Sequence, residues 1–211
     1  MSGGEVPNAP KMGEFYVINP DLEIPLHEVE FTNSDALRPP GGGIIRPETG
    51  GFRQFPEPPL LTDTVPEGSL NDFQVAFEGY WLVSDRLKRV FEAVDPEAFQ
   101  FVQCELVCFD GSVGPLYYLC DVIRTLDAVD ENASDVRVLT EGYVNGKFYR
   151  LAGGARLAFK KDVVNGAHVF RSPFNDGLIV CDRVMRDALV ERGFGVLEGN
   201  SGMALSDAAD F

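Results

Sequence analysis

The sequence predicts an α+β fold built on a mixed or largely antiparallel sheet with a few short helices. Short runs rich in β-branched and aromatic residues outnumber runs with helical spacing. These runs do not alternate strictly with helices, as a parallel α/β sheet would require. Apolar residues fill 45 % of the 211 positions, enough for a packed core and too many for a globally disordered chain. Residues 1–13 read as a flexible arm, 14–200 as one α+β domain and 201–211 as a C-terminal tail.

Taken in order, Glu14–Ile18 and Val29–Phe31 read as short strands. Residues 34–68 read as irregular, because seven prolines and the triplet Gly41–Gly43 remove donors and add freedom. The triplet lacks the Gly-Lys-Ser/Thr ending of a phosphate-binding loop, so it reads as a plain loop. Tyr80–Val83 is the next strand. Ser84 can accept the unpaired amides of a helix start, and Leu87, Val90, Phe91 and Val94 then share one helical face until Pro96 ends it. Phe99–Phe109 is β-like throughout. Val136–Leu139, Lys147–Leu151, Arg156–Phe159 and His168–Arg171 are short strand runs, with tight turns expected at Asn145-Gly146 and Asn165-Gly166. Leu178–Val180 leads into a helix begun at Cys181 or Asp182 and closed by Gly193. Aligned without gaps, LVSDRLKRVFE from Leu82 and IVCDRVMRDAL from Ile179 share Val, Asp and two Arg. Common strand-cap-helix chemistry accounts for this, with Asp85 and Asp182 as capping groups. A duplicated half-domain, giving two related strand–helix units, is the sharper alternative.

Charge and motifs narrow the function. With 33 acidic and 18 basic residues, a formal −15, the chain repels nucleic-acid phosphates and anionic membranes and attracts basic proteins. No charged-then-apolar leader opens it, and no apolar run nears the roughly 20 residues of a membrane span. A cytoplasmic protein with neither nucleic acid nor membrane as partner is expected. Cys104, Cys108, Cys120 and Cys181 form no CxxC pair and sit among apolar neighbours, so they read as buried thiols rather than metal ligands. Only His27 and His168 could serve a histidine-based site, and His168 lies in an apolar run that suits a sheet histidine. No GxSxG elbow, HExxH pair or EF-hand spacing occurs. No catalytic residue, metal or cofactor is expected.

One stretch stands apart. In YYLCDVIRTLDAVDENAS, Tyr117, Tyr118 and an apolar run lead into Asp121, Asp127, Asp130 and Glu131, with Asp135 just beyond. Helix and strand spacing fit the apolar part equally. The acids lack the regular spacing and glycine bend of a metal loop. Tyr117, Tyr118, Asp127, Asp130, Glu131 and Asp135 are the candidate residues for binding a partner; a solvated turn over buried tyrosines is the plain alternative.

The order of motifs carries a resemblance. GYWLVSDRLKRVFEAV is followed by FQFVQCELV, the tyrosine-rich run with Leu126, Asp127, Asp130 and Ser134, the pair Phe170-Arg171, and GLIVCDRVMRDALVERGFGVLEG. Across Gly79–Gly199 this resembles immunity protein family eleven of bacterial polymorphic toxin systems. The resemblance implies an inhibitor that stays in the producing cell and neutralises a cognate toxin, nucleases among the toxins, with no catalytic residue to carry over. It also implies that the tyrosine run is a strand with its acidic exit in a loop at a sheet edge. A small hydrolase or transferase, or a structural subunit of a larger assembly, are the competing readings.

Overall fold

The computed structural model describes residues 9–24, 29–37, 46–47, 49–65, 70–76, 79–196 and 201–211. His27, the triplet Gly41–Gly43, Pro39, Pro40, Pro66 and residues 1–8 of the expected arm lie outside the described residues. In chain order the elements are β1 (Phe15–Pro20), β2 (Val29–Phe31), α1 (Ser34–Leu37), β3 (Leu60–Asp63), β4 (Phe73–Val75), β5 (Trp81–Ser84), α2 (Asp85–Val94), β6 (Phe99–Val107), β7 (Tyr117–Val122), β8 (Arg137–Leu139), β9 (Phe148–Arg150), α3 (Lys161–Val164), β10 (Val169–Ser172), β11 (Asn175–Asp182), α4 (Arg183–Glu191) and β12 (Met203–Asp207). The chain is α+β, dominated by strands. One sheet runs β2–β3–β6–β7–β5–β4, a second runs β10–β11–β1–β12, and β8 pairs with β9. All pairings are antiparallel except β3 with β6.

The apolar runs are continuous because both sheets are covered on both faces over much of their area. Trp81, Val83, Cys120 and Val122 of the six-stranded sheet face a central layer, as do Ile18, Ile179 and Cys181 of the four-stranded one. Leu87, Val90 and Phe91 of α2 and Met185 and Leu189 of α4 fill that layer. The alternate residues point away. Leu82 and Leu119 join Leu61, Cys104 and Leu106 in a second core. Val17, Leu178 and Val180 meet Val129, Tyr149, Leu157 and Phe159 in a third. Burial of each large side chain here stabilises by about 1.5–3 kcal/mol.

The two helices are built as their sequences suggest, with one correction. Ser84 Oγ accepts from the Leu87 amide at 3.2 Å, and Asp182 Oδ1 accepts from the Met185 amide at 3.0 Å. Asp182 is therefore a cap, but Asp85 is not: it is already helical and pairs with Arg89 one turn on at 2.7 Å. The helices thus start one residue out of step with the ungapped match. Gly193, at φ +83°, closes α4 through bonds from Gly193 N to Val190 O and from Phe194 N to Leu189 O, both 3.0 Å.

YYLCDV is strand β7, between β5 and β6, as the resemblance implies, because both of its faces have a core to enter. Other expectations change. The proline-rich segment 34–68 contains α1 and β3; its prolines flank these elements rather than prevent them. The expected tail 201–211 holds β12, zipped along β1 from Tyr16↔Asp207 to Pro20↔Met203. MALSD has no apolar–polar alternation to mark it as a strand. Asn165-Gly166 forms the expected tight turn, with Asn165, at φ +43°, ending α3 rather than joining two strands. Arg156–Phe159 adds two isolated bridges, to Asp135 and Val129, rather than a strand.

Candidate functional site

The six candidate residues fall into two groups at opposite ends of β7. Tyr117 is buried, and its hydroxyl donates to Leu70 O at 2.9 Å; burial pushes its phenol well above the ordinary range. Tyr118 points to the other face, half-buried, against Phe101 and beneath Lys88. Six residues of strand span roughly 20 Å, so the acids beyond Val122 cannot share a contact with either tyrosine.

Past β7 the chain crosses to the edge of the four-stranded sheet, where Thr125 bridges Arg171 and Leu126 N donates to Arg171 O at 3.0 Å. The acids then do local work. Asp130 Oδ1 accepts from Asn132 N at 3.1 Å, forming a side-chain-closed turn. Ser134 Oγ accepts from Ala158 N at 2.8 Å, and Asp135 exchanges backbone bonds with Arg156. Asp127 lies 3.7 Å from Lys160. Glu131 binds Lys147 and accepts from Tyr149 Oη at 2.8 Å; Lys147, then Tyr149, holds its carboxyl below the usual range. Between Arg124 and Lys160 there are five acidic and six basic residues. The exposed acidic loop is thus locally neutral, and the charge of the molecule lies elsewhere.

The most buried charges form a different constellation. Asp121 is 0 % exposed. Its Oδ1 accepts from Arg46 Nε at 2.7 Å and Arg171 Nη2 at 3.1 Å, and its Oδ2 accepts from Gly51 N at 2.6 Å. Arg171, 2 % exposed, also donates to Val122 O, Gly79 O and Asp176 O. Tyr80 Oη donates to Gly51 O at 2.9 Å, and burial first, then Asp121, pushes this phenol up to about 12. Gly51 sits at φ +76°, where a Cβ would lie 2.5 Å from Gln100 Oε1. With three donors on one carboxylate, the group is fully engaged. It pins the 46–51 and 79–80 segments and β10 onto β7. Asp121 and Arg171 could have been found as charges inside apolar runs; Arg46 has no such signal, because its loop carries no periodicity.

A second node joins α2 to β10. Asp95, buried behind the end of α2, accepts from Arg124 and from the amides of His168 and Val169 at 3.0 and 3.3 Å. Burial alone would raise its carboxyl, but these donors outweigh burial and hold it below the usual range. His168 Nδ1 lies 2.8 Å from Asp182 Oδ2, the capping carboxylate of α4. His168 is thus a sheet histidine that seats a helix. A groove of about 680 Å³ between α2 and α4 is walled by Arg86, Arg89, Arg192 and Glu191, and His168 does not line it. Cys104, Cys120 and Cys181 are buried and unoxidised, and burial pushes all three thiols up, Cys104 to about 12; Cys108 is half-buried. Among the described residues no three His, Cys, Asp or Glu side chains converge as metal ligands.

The arrangement is that of a rigid scaffold whose buried charges tie loops to sheets. No curated protein matches the chain. The model of the immunity protein family (Imm11) matches residues 14–210, which includes the whole motif series from Gly79 and the strands before it. The chain belongs to the immunity protein family Imm11.

Proposed function

We propose that this protein acts in the cytoplasm of the cell that makes it, binding a cognate antibacterial toxin domain and blocking it by protein–protein occlusion. The family match over residues 14–210 carries this reading. The charge of −15 supports it, since a toxin that grips phosphates needs a basic cleft, and an acidic inhibitor both complements that cleft and speeds encounter. A nuclease domain is the partner that best fits. The loop Asp127–Asp135, with Tyr118, is a candidate part of the toxin-facing surface, although Asp127 and Glu131 already have lysine partners. No cofactor enters this role.

The test is survival. The C-terminal domain of the large open reading frame beside this gene is expressed in an indicator bacterium, with and without this protein. Killing alone and colonies when both are present is the expected result. Killing in both cases, after direct binding of the two purified proteins has also failed, would overturn the reading.

A further inference from the structure

The six-stranded sheet is not covered evenly. α2 packs over β5 and β7. Lys88 of α2 reaches the rings of Phe101 and Tyr118, 5.0 Å from each centroid. Beyond Lys88 no described helix covers the same face. Strand register sets which residues it presents. Glu30 pairs with Thr62, Leu60 with Glu105, and Gln103 with Tyr118. Their alternates, Leu61, Leu106 and Tyr117, enter the second core. Glu30, Gln103 and Glu105 are exposed, and Leu60, Thr62 and Tyr118 half-buried.

The face continues into the β6–β7 hairpin. Val113 bridges Val107, and the hairpin is closed by bonds from Cys108 N to Ser112 O at 2.9 Å and Gly114 N to Leu106 O at 2.8 Å. Asp110 Oδ1 accepts from Ser112 N at 2.9 Å. On this braced tip Val113 is 92 % exposed, Phe109 58 % and Leu116 47 %. Three large apolar side chains held out on a rigid hairpin are unusual on a surface that needs only solubility.

Charge says what fits there. On the face itself Glu30 and Glu105 are exposed acids, and residues 99–116, which hold β6 and the hairpin tip, carry two acidic and no basic residues. A second copy of this chain would bring the same negative field and be repelled. The face also holds a cation of its own, the Lys88 ammonium over Phe101 and Tyr118, which shows the chemistry it accepts. Four strands across and the length of β6 give an area on the order of 500 Å², and the hairpin tip brings it toward the roughly 800 Å² per partner of a stable interface.

We infer that the open face of β2, β3, β6 and β7, with the β6–β7 hairpin tip, is the docking surface for a basic protein partner. The partner presents lysine or arginine around an apolar recess that receives Val113 and Phe109. This rests on the toxin-binding reading and names the surface that carries it.

The probe is the toxin domain from the survival assay, as purified protein, against the full chain. The double variant Glu30→Lys/Glu105→Lys and the single variant Val113→Asp are each expected to weaken binding about tenfold or more, with thermal midpoints unchanged. Val184→Asp, on the exposed side of α4, is expected to bind as wild type. Wild-type affinity and rescue from both face variants would overturn the inference and leave the immunity reading intact. A wild-type protein that neither binds nor rescues would overturn both. Sedimentation showing a wild-type dimer that the face variants lose would assign the surface to a second copy instead, and so overturn it as well.

Discussion

At the scale of single residues, Asp121 decides the most. Its carboxylate answers two guanidinium groups and a backbone amide inside the protein. A buried ion pair adds little over a well-packed apolar substitute, but removing one member leaves the other charge stranded. Asp121→Ala should therefore cost about 3–5 kcal/mol, read as a lower urea midpoint. A loss under 1 kcal/mol would mean that water reaches Arg46 and Arg171. Asp95 makes a prediction about pH. Its folded carboxyl is held low by Arg124 and two amides. Its contribution is present above the unfolded value of about 4 and is lost as pH falls through the lower folded value. Glu131, held low by Lys147 and Tyr149, acts in the same direction. Thermal stability should fall with acidification below about pH 4, and Asp95→Asn should flatten that limb. An unchanged acid limb in the variant would show that Asp95 does not supply it.

At the scale of elements, the two helix starts offer matched tests. Ser84 and Asp182 each accept one orphan amide, and removing such a cap costs about 1 kcal/mol. Ser84→Ala and Asp182→Ala should both lower the thermal midpoint by similar amounts, because each side chain has one further partner, Asp72 for Ser84 and His168 for Asp182. A clearly larger loss at Asp182 would say that the His168 contact is the stronger of the two. These units were also the most legible in the sequence. A cap, four apolar residues on one face and a terminal glycine are local signals, and α2 and α4 follow them. What was not legible depends on distant chain. β12, MALSD, carries no alternation and is a strand because β1 lies beside it. β3 sits between prolines and exists because β6 offers a parallel edge. For the candidate site, Tyr118 is half-buried, and the exposed residues on its face, Glu30, Gln103 and Glu105, come from segments that only the sheet register brings together. The acidic loop stands out because its acids lie close in sequence; Lys147 and Lys160, which answer two of them, are up to 33 residues away.

At the scale of the whole molecule, charge is unevenly shared, with the excess of acid in the first 80 residues. Steering by such a field acts on association more than on dissociation, and salt screens it within about 8–10 Å at physiological strength. The rate of toxin capture should fall steeply between about 50 mM and 500 mM salt, while the dissociation rate changes little. Stopped-flow mixing over that range checks this; a salt-independent association rate would remove electrostatics from the account. The strand order has a further bearing, on time. β1 lies between β11 and β12, so Val17 waits for partners at Val180 and Ser206. The Asp121 and the central layer of the six-stranded sheet wait for Arg171 and α4, but all its strands lie before residue 123, so its pairings can form while the rest is still being translated. The four-stranded sheet cannot, since synthesis at about 5–20 residues per second separates β1 from β12 by on the order of 10–40 s. A cell that began translation only on need would hold, through that interval, a chain without its four-stranded sheet. Under the proposed immunity role, protection comes from a standing stock made in advance.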